Sequence, residues 1–169
     1  MKLNFEIGTL LYDTQWKVVL AESCTGGLLS SIITDVPGSS AYYVGGVSTY
    51  AYEAKKKLLG VKSETLEAYG AVSRQTVMEM SLGVRHLFSG EVPFENIIGI
   101  SISGIAGPGG GMPGKPVGLV WFSLSAKTGH WAWKRIWKGN RIENKEYSAQ
   151  FALEIIKAFV MNQLPTEDF

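Results

Sequence analysis

The sequence has little of the residues that bind metals or form disulfides: one cysteine and two histidines among 169 residues. A single cysteine excludes an intramolecular disulfide framework and is typical of proteins in a reducing compartment. So few thiol and imidazole groups also leave little for a soft-metal cluster. We therefore expect a chain that is stabilised by its hydrophobic core and that holds no metal.

Neither an excess of charge nor a long apolar run is present. Lysine and arginine number 16 against 15 aspartates and glutamates, a formal net charge of +1. This balance gives no bulk electrostatic support for binding nucleic acid or an anionic membrane. No stretch approaches the roughly 20 apolar residues of a membrane span, and the first residues lack the apolar core of a signal peptide. We expect one domain over residues 1–169, located in the cytoplasm.

Glycine, in contrast, is abundant. The 20 glycines make up about 12% of the chain, against an average of about 7%. They gather at Gly26-Gly27, at Gly45-Gly46 and between Gly104 and Gly118. Because glycine permits tight turns and close approach of the backbone to a ligand, these clusters indicate a binding site built from loops. Ordinary turn chemistry is the alternative.

Hydrophobic periodicity predicts alternating helices and strands. Helices are predicted over 3–15, from Leu28 onward, and over 53–59, 63–69 and 73–88, with Gly60 and Ser73 as caps and a closing helix through Tyr147 and Phe159. Strands are predicted over 16–21, 42–50, 96–103, 117–125 and 131–137. This order favours an α/β fold with helices on both faces of a mixed sheet. Trp131, Trp133 and Trp137 share one side of the last strand, which predicts either an exposed oligomer contact on an edge strand or core packing.

The segment from Glu22 to Gly27 lies where a buried strand is predicted to turn into a helix. Ser23 would be presented there outside the carboxyl edge of the sheet. The amides of Thr25, Gly26 and Gly27 would lie at a helix N-terminus, which favours a phosphate, a carboxylate or the oxyanion of an acyl-transfer intermediate. The alternative is that Ser23 or Thr25 only caps the helix.

A nucleophilic Ser23 would need a base. His86 and His130 are poorly placed, the second in a predicted turn, and we expect both to be surface or internally bonded histidines. Lysine can serve when burial or a nearby cation lowers its pKa, and the run 55–57 of three lysines supplies neighbouring cations. Cys24 is a rival nucleophile, although without a well-placed histidine it is more typical of a small buried residue. The sequence leaves these alternatives open.

A second glycine-rich loop runs from Ser103 to Gly111 and is too long for a hairpin turn. Its amides would form an anion-binding nest, or the loop would be a lid or a plain connector. The nearby pattern from Gly109 to Lys115 is not a phosphate-binding P-loop, because Pro116 replaces the serine or threonine that would hold magnesium.

Eight segments keep a characteristic order and spacing over about residues 5–160. They are 21–27 (AESCTGG), 38–40, 45–47, Tyr50 with 53–55, 59–61, 70–73, 103–108 and 115–118. Together they resemble the C-terminal domain of the competence-damage-inducible CinA proteins, a family whose stand-alone form is a nicotinamide-nucleotide amidase. The resemblance implies a three-layer α/β/α fold and hydrolysis of the carboxamide of nicotinamide mononucleotide, giving nicotinic acid mononucleotide and ammonia.

The resemblance also implies a Ser-Lys mechanism without a metal or cofactor. Ser23 would be the nucleophile, Lys55 its base, and Tyr50 a helper in proton transfer or lysine orientation. We expect the nucleotide substrate to be the chain's small-molecule partner and the protein to be a homo-oligomer. The residues expected to bind substrate are Thr25, Gly26, Gly27, Ser103, Gly104, Gly107 and Arg141.

Several positions depart from the family pattern. Ala51-Tyr52 replaces the usual Ser-Asn, Asn140 replaces an aspartate, and Asn144 stands where an arginine is common. If these positions line the pocket, affinity or specificity has changed. Two alternatives to the amidase therefore stay open: a catalytically altered nucleotide-binding or assembly protein of the same fold, and an amidase for a different small amide.

Overall fold

Five strands form one mixed sheet in the computed structural model, which describes residues 2–90 and 92–168; Met1 and Phe169, the ends of the predicted domain, lie outside the described residues. The strands are β1 (Lys17–Glu22), β2 (Tyr43–Ser48), β3 (Ile97–Gly104), β4 (Leu119–Ala126) and β5 (Gly129–Ile136). Their order across the sheet is β2-β1-β3-β4-β5. β1 runs parallel to its two neighbours, β2 and β3, whereas the β3–β4 and β4–β5 pairs are antiparallel. The predicted mixed sheet is confirmed.

Helices cover both faces of this sheet. They are α1 (Leu3–Tyr12), α2 (Leu28–Thr34), α3 (Tyr52–Leu59), α4 (Ser63–Tyr69), α5 (Arg74–Leu87) and α6 (Arg141–Val160). The helices α1, α2 and α6 pack on one face, and α3, α4 and α5 lie on the other. The three-layer α/β/α architecture is therefore confirmed. No helix in the described part of the chain has the length and apolar character needed to cross a membrane.

Apolar strands buried on both faces form the core. In β3, Ile98, Ile100 and Ile102 face the α1–α2–α6 layer, while Ile97 packs in the cluster beneath α5. All eight residues of β4 are buried as well. Strands buried on both faces are near-continuous apolar runs, which explains why pattern alone located them to within two residues.

The last helix begins earlier than the apolar repeat indicates. The first apolar residue of the four-residue repeat is Tyr147, whereas α6 starts at Arg141. The side chain of Asn140 accepts hydrogen bonds from the amides of Ile142 and Glu143, and the Glu143 carboxylate accepts from the Asn140 amide. This capping box fixes the start of the helix through polar groups, which carry no hydrophobic period.

The two tryptophans of β5 and Trp137, which directly follows the strand, pack against the core instead of forming an exposed patch. Trp133 is fully buried, and Trp131 lies against Phe159 at a ring-centroid distance of 6.1 Å. Trp137 packs against the Tyr147 ring at 5.7 Å. The exposed patch is wrong, because side chains of α6 pack against the Trp131 and Trp137 rings; an oligomer contact at this strand stays a prediction.

β5 is an edge strand, as predicted, and its outer edge is closed by side chains near the end of the chain. The amide of Ala132 donates to the Glu167 carboxylate at 3.0 Å, and the amide of Lys134 donates to the Asp168 carboxylate at 3.0 Å. Arg135 also pairs with Asp168. These carboxylates occupy amides that an edge strand would otherwise offer to a strand of another molecule.

The helix α3 lies unusually close to α5. A Cβ atom added at Gly83, in the middle of α5, would lie 1.9 Å from the Leu59 carbonyl oxygen at the end of α3. Gly83 thus permits a direct backbone contact between α3 and α5 within the helical layer that they share.

We expect Gly83→Ala to destabilise the protein although alanine is the better helix former. The added methyl group would force the two helices apart, and overpacking of this kind costs about 1–3 kcal/mol. The measurement is the melting temperature, with Gly109→Ala as control because a Cβ at Gly109 meets no atom within 4 Å. Equal melting temperatures for the two variants would contradict the close contact.

Candidate active site

Three strand ends meet at the carboxyl edge of the parallel part of the sheet. The amide of Ser23 donates to the Ile102 carbonyl at 2.9 Å, extending the β1–β3 pairing by one residue. The amide of Thr49 donates to the Glu22 carbonyl at 2.8 Å, extending the β1–β2 pairing in the same way. Ser23 and Thr49 are thus fixed by backbone bonds at the edge where α/β sheets bind their ligands.

Lys55 reaches this edge from the first turns of α3. Its side chain is fully buried, and its Nζ donates to the Ser23 Oγ at 2.9 Å. The same Nζ donates to the carbonyl of Thr49 at 2.6 Å and to that of Tyr50 at 3.3 Å. The structure therefore distinguishes Lys55 within the run 55–57, since the other two lysines are exposed. The predicted serine and lysine lie within hydrogen-bonding distance.

Burial changes the acidity of this lysine. It lowers the pKa of Lys55 from 10.5 to about 8, because the low-dielectric surroundings disfavour the charged amine. Within residues 2–90 and 92–168, no carboxylate pairs with its Nζ. The suggestion that neighbouring lysines lower this pKa is wrong: desolvation is the cause. At pH 7 about a tenth of the molecules carry a neutral amine at Lys55.

Cys24, the rival nucleophile, is a buried residue. Burial raises the pKa of its thiol to about 12, so the thiol stays protonated at neutral pH. Because the thiolate is the reactive form of cysteine, Cys24 is not an activated nucleophile. Ser23, which contacts the lysine, is the better candidate.

Two of the three amides expected to bind an anion at the start of α2 form internal hydrogen bonds in this structure. The Gly26 amide donates to the Ser23 carbonyl at 3.1 Å, and the Gly27 amide donates to the carboxylate of Glu22 at 3.1 Å. Gly27 has a φ of +97°, a conformation that favours glycine, so its part is to shape the turn. Thr25 differs: its hydroxyl is buried, and neither the hydroxyl nor the amide has a partner among the described residues.

Arg141 brings Tyr50 and Gly107 together at the rim of the site. Its guanidinium donates to the Tyr50 hydroxyl at 3.0 Å and to the Gly107 carbonyl at 2.7 Å. The Tyr50 ring is largely exposed, and its hydroxyl contacts Arg141 and not Lys55. The backbone carbonyl of Tyr50, not its side chain, orients the lysine in this structure.

Ser103 and Gly104 are the last two residues of β3 and lie beside Ser23, but both are engaged in contacts with neighbouring parts of the protein. The buried Ser103 hydroxyl donates to the carbonyl of Ala71 at 2.7 Å. A Cβ at Gly104 would lie 2.5 Å from the Val120 side chain, so this glycine permits close packing of β3 on β4. Both residues shape the floor of the site, and the Ser103 hydroxyl is engaged with the neighbouring loop.

The polar side chains at the positions that depart from the family pattern form hydrogen bonds with backbone groups. Asn140 caps α6, as described above. The buried Asn144 donates to the Ala106 carbonyl at 3.0 Å and accepts from the Gly139 amide at 3.0 Å. The Tyr52 hydroxyl accepts from the Ala71 amide at 3.3 Å. These side chains hold the loops that surround the site.

The two histidines are engaged elsewhere, as predicted. His86 stacks on Phe94 at a ring-centroid distance of 4.7 Å. His130 lies in β5 and not in a turn; its Nε2 is 2.9 Å from the Ser81 hydroxyl, and burial lowers its pKa. In the described ranges no three histidine, cysteine, aspartate or glutamate side chains form a group that could hold a metal ion.

Sequence reasoning missed the roles of Glu22, Thr49 and Asn144. Glu22 stood in the recognised motif, and a buried acidic residue directly before a helix start was the available signal. Thr49 acts through its carbonyl, which no side-chain pattern reveals. Asn144 sits on a helix whose start was placed too late.

Comparison with known proteins supports the family suggested by the motifs. A protein-family model described as "CinA C-terminal domain" matches residues 1–160 of the sequence. A nicotinamide-nucleotide amidohydrolase PncC from Enterobacter agglomerans is 45% identical over 95% of this chain and 96% of its own length. A CinA-like protein from Thermotoga neapolitana is 42% identical over 92% of this chain, which spans 36% of that longer protein.

A solved structure gives the same result. The crystal structure of a CinA superfamily protein from Klebsiella pneumoniae superposes with a TM-score of 0.87 at 32% identity, covering 95% of this chain and 96% of that one. Sequence and structure agree over nearly the whole chain. This protein belongs to the CinA C-terminal domain family.

Proposed function

We propose that this protein is an amidohydrolase that converts nicotinamide mononucleotide to nicotinic acid mononucleotide and ammonia. Its 45% identity to a protein named nicotinamide-nucleotide amidohydrolase, over nearly the full length of both chains, supports the reaction. The 2.9 Å contact between the Ser23 hydroxyl and the buried Lys55 amine carries the mechanism. A serine needs an adjacent base to attack a carboxamide, and an amine whose pKa is near neutrality can act as one.

In the first half of the reaction, the neutral Lys55 amine takes the proton from the Ser23 hydroxyl. The serine oxygen then bonds to the carboxamide carbon, and the carbonyl oxygen takes up the negative charge. Lys55 passes its proton to the amide nitrogen, the carbon–nitrogen bond breaks, and ammonia leaves. The product of this half is an ester between Ser23 and the pyridine carboxyl group.

In the second half, water replaces ammonia. Lys55, neutral again, takes a proton from the water, whose oxygen bonds to the ester carbon. The lysine then returns this proton to the Ser23 oxygen as the ester bond breaks, which restores the enzyme and releases the carboxylic acid; the acid loses its remaining proton to water and becomes the carboxylate. The same lysine therefore serves as base and acid twice in each turnover.

Thr25 is our candidate for stabilising the negative oxygen. Its amide and its buried hydroxyl have no partner within the described part of the chain, and both lie two residues beyond the nucleophile. Fixed donors of this kind act where charge develops in the transition state. Gly26 and Gly27, whose amides are bonded internally, shape the turn that presents Thr25.

Arg141 is our candidate for binding the phosphate of the substrate. Its guanidinium lies at the rim of the site between Tyr50 and Gly107, and arginine pairs well with phosphate oxygens. Tyr50 would keep the guanidinium in place and face the nucleotide with its exposed ring. Ser103 and Gly104 would support the floor of the pocket.

We also propose that the chain acts as one domain over residues 1–169, in the cytoplasm, as a homo-oligomer, without a cofactor and without nucleic acid or membrane as partners. The single sheet with its two helical layers supports one domain. The balanced charge and the unpaired Cys24 support the compartment and the absence of nucleic acid. Exposed apolar side chains near the rim, such as Tyr50 and Ile142, support self-association.

We expect Ser23→Ala and Lys55→Ala each to lower ammonia release from nicotinamide mononucleotide by at least about 100-fold, because each removes one member of the nucleophile–base pair. The matched control is Lys56→Ala, which removes the exposed neighbouring lysine and should leave the rate within about twofold.

Full activity of Ser23→Ala would overturn the assignment of the nucleophile. Two other outcomes would favour the alternatives. A wild-type protein that is inactive but whose melting temperature rises with the nucleotide would be a binding protein. Turnover of a different small amide, with none of this nucleotide, would indicate a changed specificity.

The rate and the stability should both report the depressed pKa of Lys55. Only the neutral amine is a base, so kcat/KM should rise with pH and level off above an apparent pKa of about 8. Between pH 8 and the unfolded pKa of 10.5, the unfolded chain binds a proton that the folded protein has lost. Stability should therefore increase with pH in this range, by about 3 kcal/mol relative to Lys55→Met.

The check is denaturant unfolding of wild type and Lys55→Met at pH 7 to 10.5, beside the pH–rate profile. Taking the difference between the unfolding free energies of the two proteins cancels the titration of the tyrosines and of the other lysines. A difference that is independent of pH would contradict the buried-lysine assignment.

Arg141→Ala should raise the KM for the nucleotide by about tenfold or more while lowering kcat less, if its cation binds the phosphate. The control is nicotinamide riboside, the same substrate without phosphate, on which wild type and variant should have similar KM values. An equal loss on both substrates would show that Arg141 acts elsewhere than on the phosphate.

A further inference from the structure

Glu22, the residue before the proposed nucleophile, has a buried carboxylate whose hydrogen-bond donors, among the described residues, all lie at the start of α2. Its side chain is 1% exposed. One oxygen accepts from the amides of Gly27 and Leu29, each at 3.1 Å, and the other accepts from the amide of Ser30 at 2.9 Å and its hydroxyl at 2.7 Å. No lysine or arginine in the described residues forms an ion pair with it.

The backbone of the same residue holds the other side of the site. The Glu22 carbonyl accepts from the amide of Thr49, whose own carbonyl accepts from the Lys55 amine. Glu22 thus connects the end of β1, the first turn of α2 and the segment that carries the base. The turn of Ser23, Cys24 and Thr25 lies between these two anchors.

We propose that Glu22 is a positioning residue for the reaction: its carboxylate fixes the first turn of α2 from inside the protein, and thereby holds the Ser23 hydroxyl against Lys55 and keeps the Thr25 amide and hydroxyl unpaired for the substrate. This inference rests on the proposed amidase function. A misplacement of about 1 Å in such a site can cost about 100-fold in rate, so the position of this turn is a catalytic requirement.

The negative charge of Glu22 has a second consequence, for the adjacent cysteine. A helix N-terminus usually lowers the pKa of a nearby thiol and makes it reactive. Here the carboxylate takes up the first-turn donors, and its charge adds to burial in raising the pKa of Cys24. Burial is the main cause, and Glu22 acts in the same direction by keeping the neighbouring thiol protonated.

The test compares Glu22→Gln with Glu79→Gln. Glutamine keeps the shape of Glu22 but turns an NH₂ group toward amide donors. Glu79 is a matched control, because its carboxylate accepts from the Lys62 amide at 2.8 Å and the Thr65 hydroxyl at 2.7 Å at the start of α4. We expect both variants to melt at lower temperature. Below both melting temperatures, only Glu22→Gln should lose kcat, by about 30- to 100-fold, with KM within about threefold.

The second readout is the rate at which an aromatic disulfide reagent modifies the single cysteine at pH 8. It should increase at least about fivefold in Glu22→Gln and stay near the wild-type rate in Glu79→Gln. If Glu22→Gln does not fold, Ser30→Ala removes one of the four donors and should give a smaller loss of kcat with an unchanged KM.

The outcomes separate the two proposals. A kcat for Glu22→Gln within about twofold of wild type, or an equal loss in Glu79→Gln, would overturn the positioning role. Inactive wild type, or active Ser23→Ala, would instead overturn the amidase mechanism. The cysteine readout does not depend on that mechanism and would still report whether Glu22 controls the turn.

Discussion

The site depends on one constraint: a lysine amine is buried beside a serine hydroxyl, and no carboxylate in residues 2–90 and 92–168 forms an ion pair with it. Its acceptors are the Ser23 hydroxyl and the carbonyls of Thr49 and Tyr50, none of which carries a charge. A carboxylate partner would stabilise the protonated amine and raise its pKa, and the base would then be lost. The helix α3 that carries this buried amine packs closely on α5 at Gly83.

Glu22 is the second buried ionisable side chain beside Ser23, and it contacts the start of α2. Its carboxylate is buried, forms no ion pair with a cation in the described part of the chain, and accepts hydrogen bonds from three amides and one hydroxyl. The two buried charges on either side of Ser23 are therefore not paired with each other, and each is satisfied by neutral dipoles. Burial without a charged partner lowers the pKa of the Lys55 amine and so enlarges its neutral fraction at a given pH, while the hydrogen bonds to the Glu22 carboxylate fix the start of α2. The proposed base and the turn that carries Ser23 are held next to one another in this way.

Much of the fold could be predicted because its strands are apolar runs separated by glycine and polar turns. The start of α6 was missed because a capping box, and not an apolar period, defines it. Within the site, Ser23 could be located from the strand–turn–helix pattern. Lys55 could be separated from its two neighbours only through resemblance, because burial depends on how α3 is rotated against the sheet. The anion site expected at Gly26 and Gly27 stays a prediction; the pattern did not reveal that their amides are bonded internally, to the Ser23 carbonyl and to the Glu22 carboxylate.

The departures from the family pattern bear on whether this member is catalytic. Asn140 and Asn144 form hydrogen bonds with backbone at the start of α6, and the Tyr52 hydroxyl accepts from a backbone amide of the loop at Ala71. Their replacement of the usual residues therefore acts on the position of loops, while the serine, the lysine and the two carbonyls that hold the lysine keep a reactive arrangement. A protein selected only to bind a nucleotide would gain nothing from a buried, uncompensated amine, which reduces its stability at neutral pH. The persistence of that amine beside Ser23 favours the amidase over the binding protein.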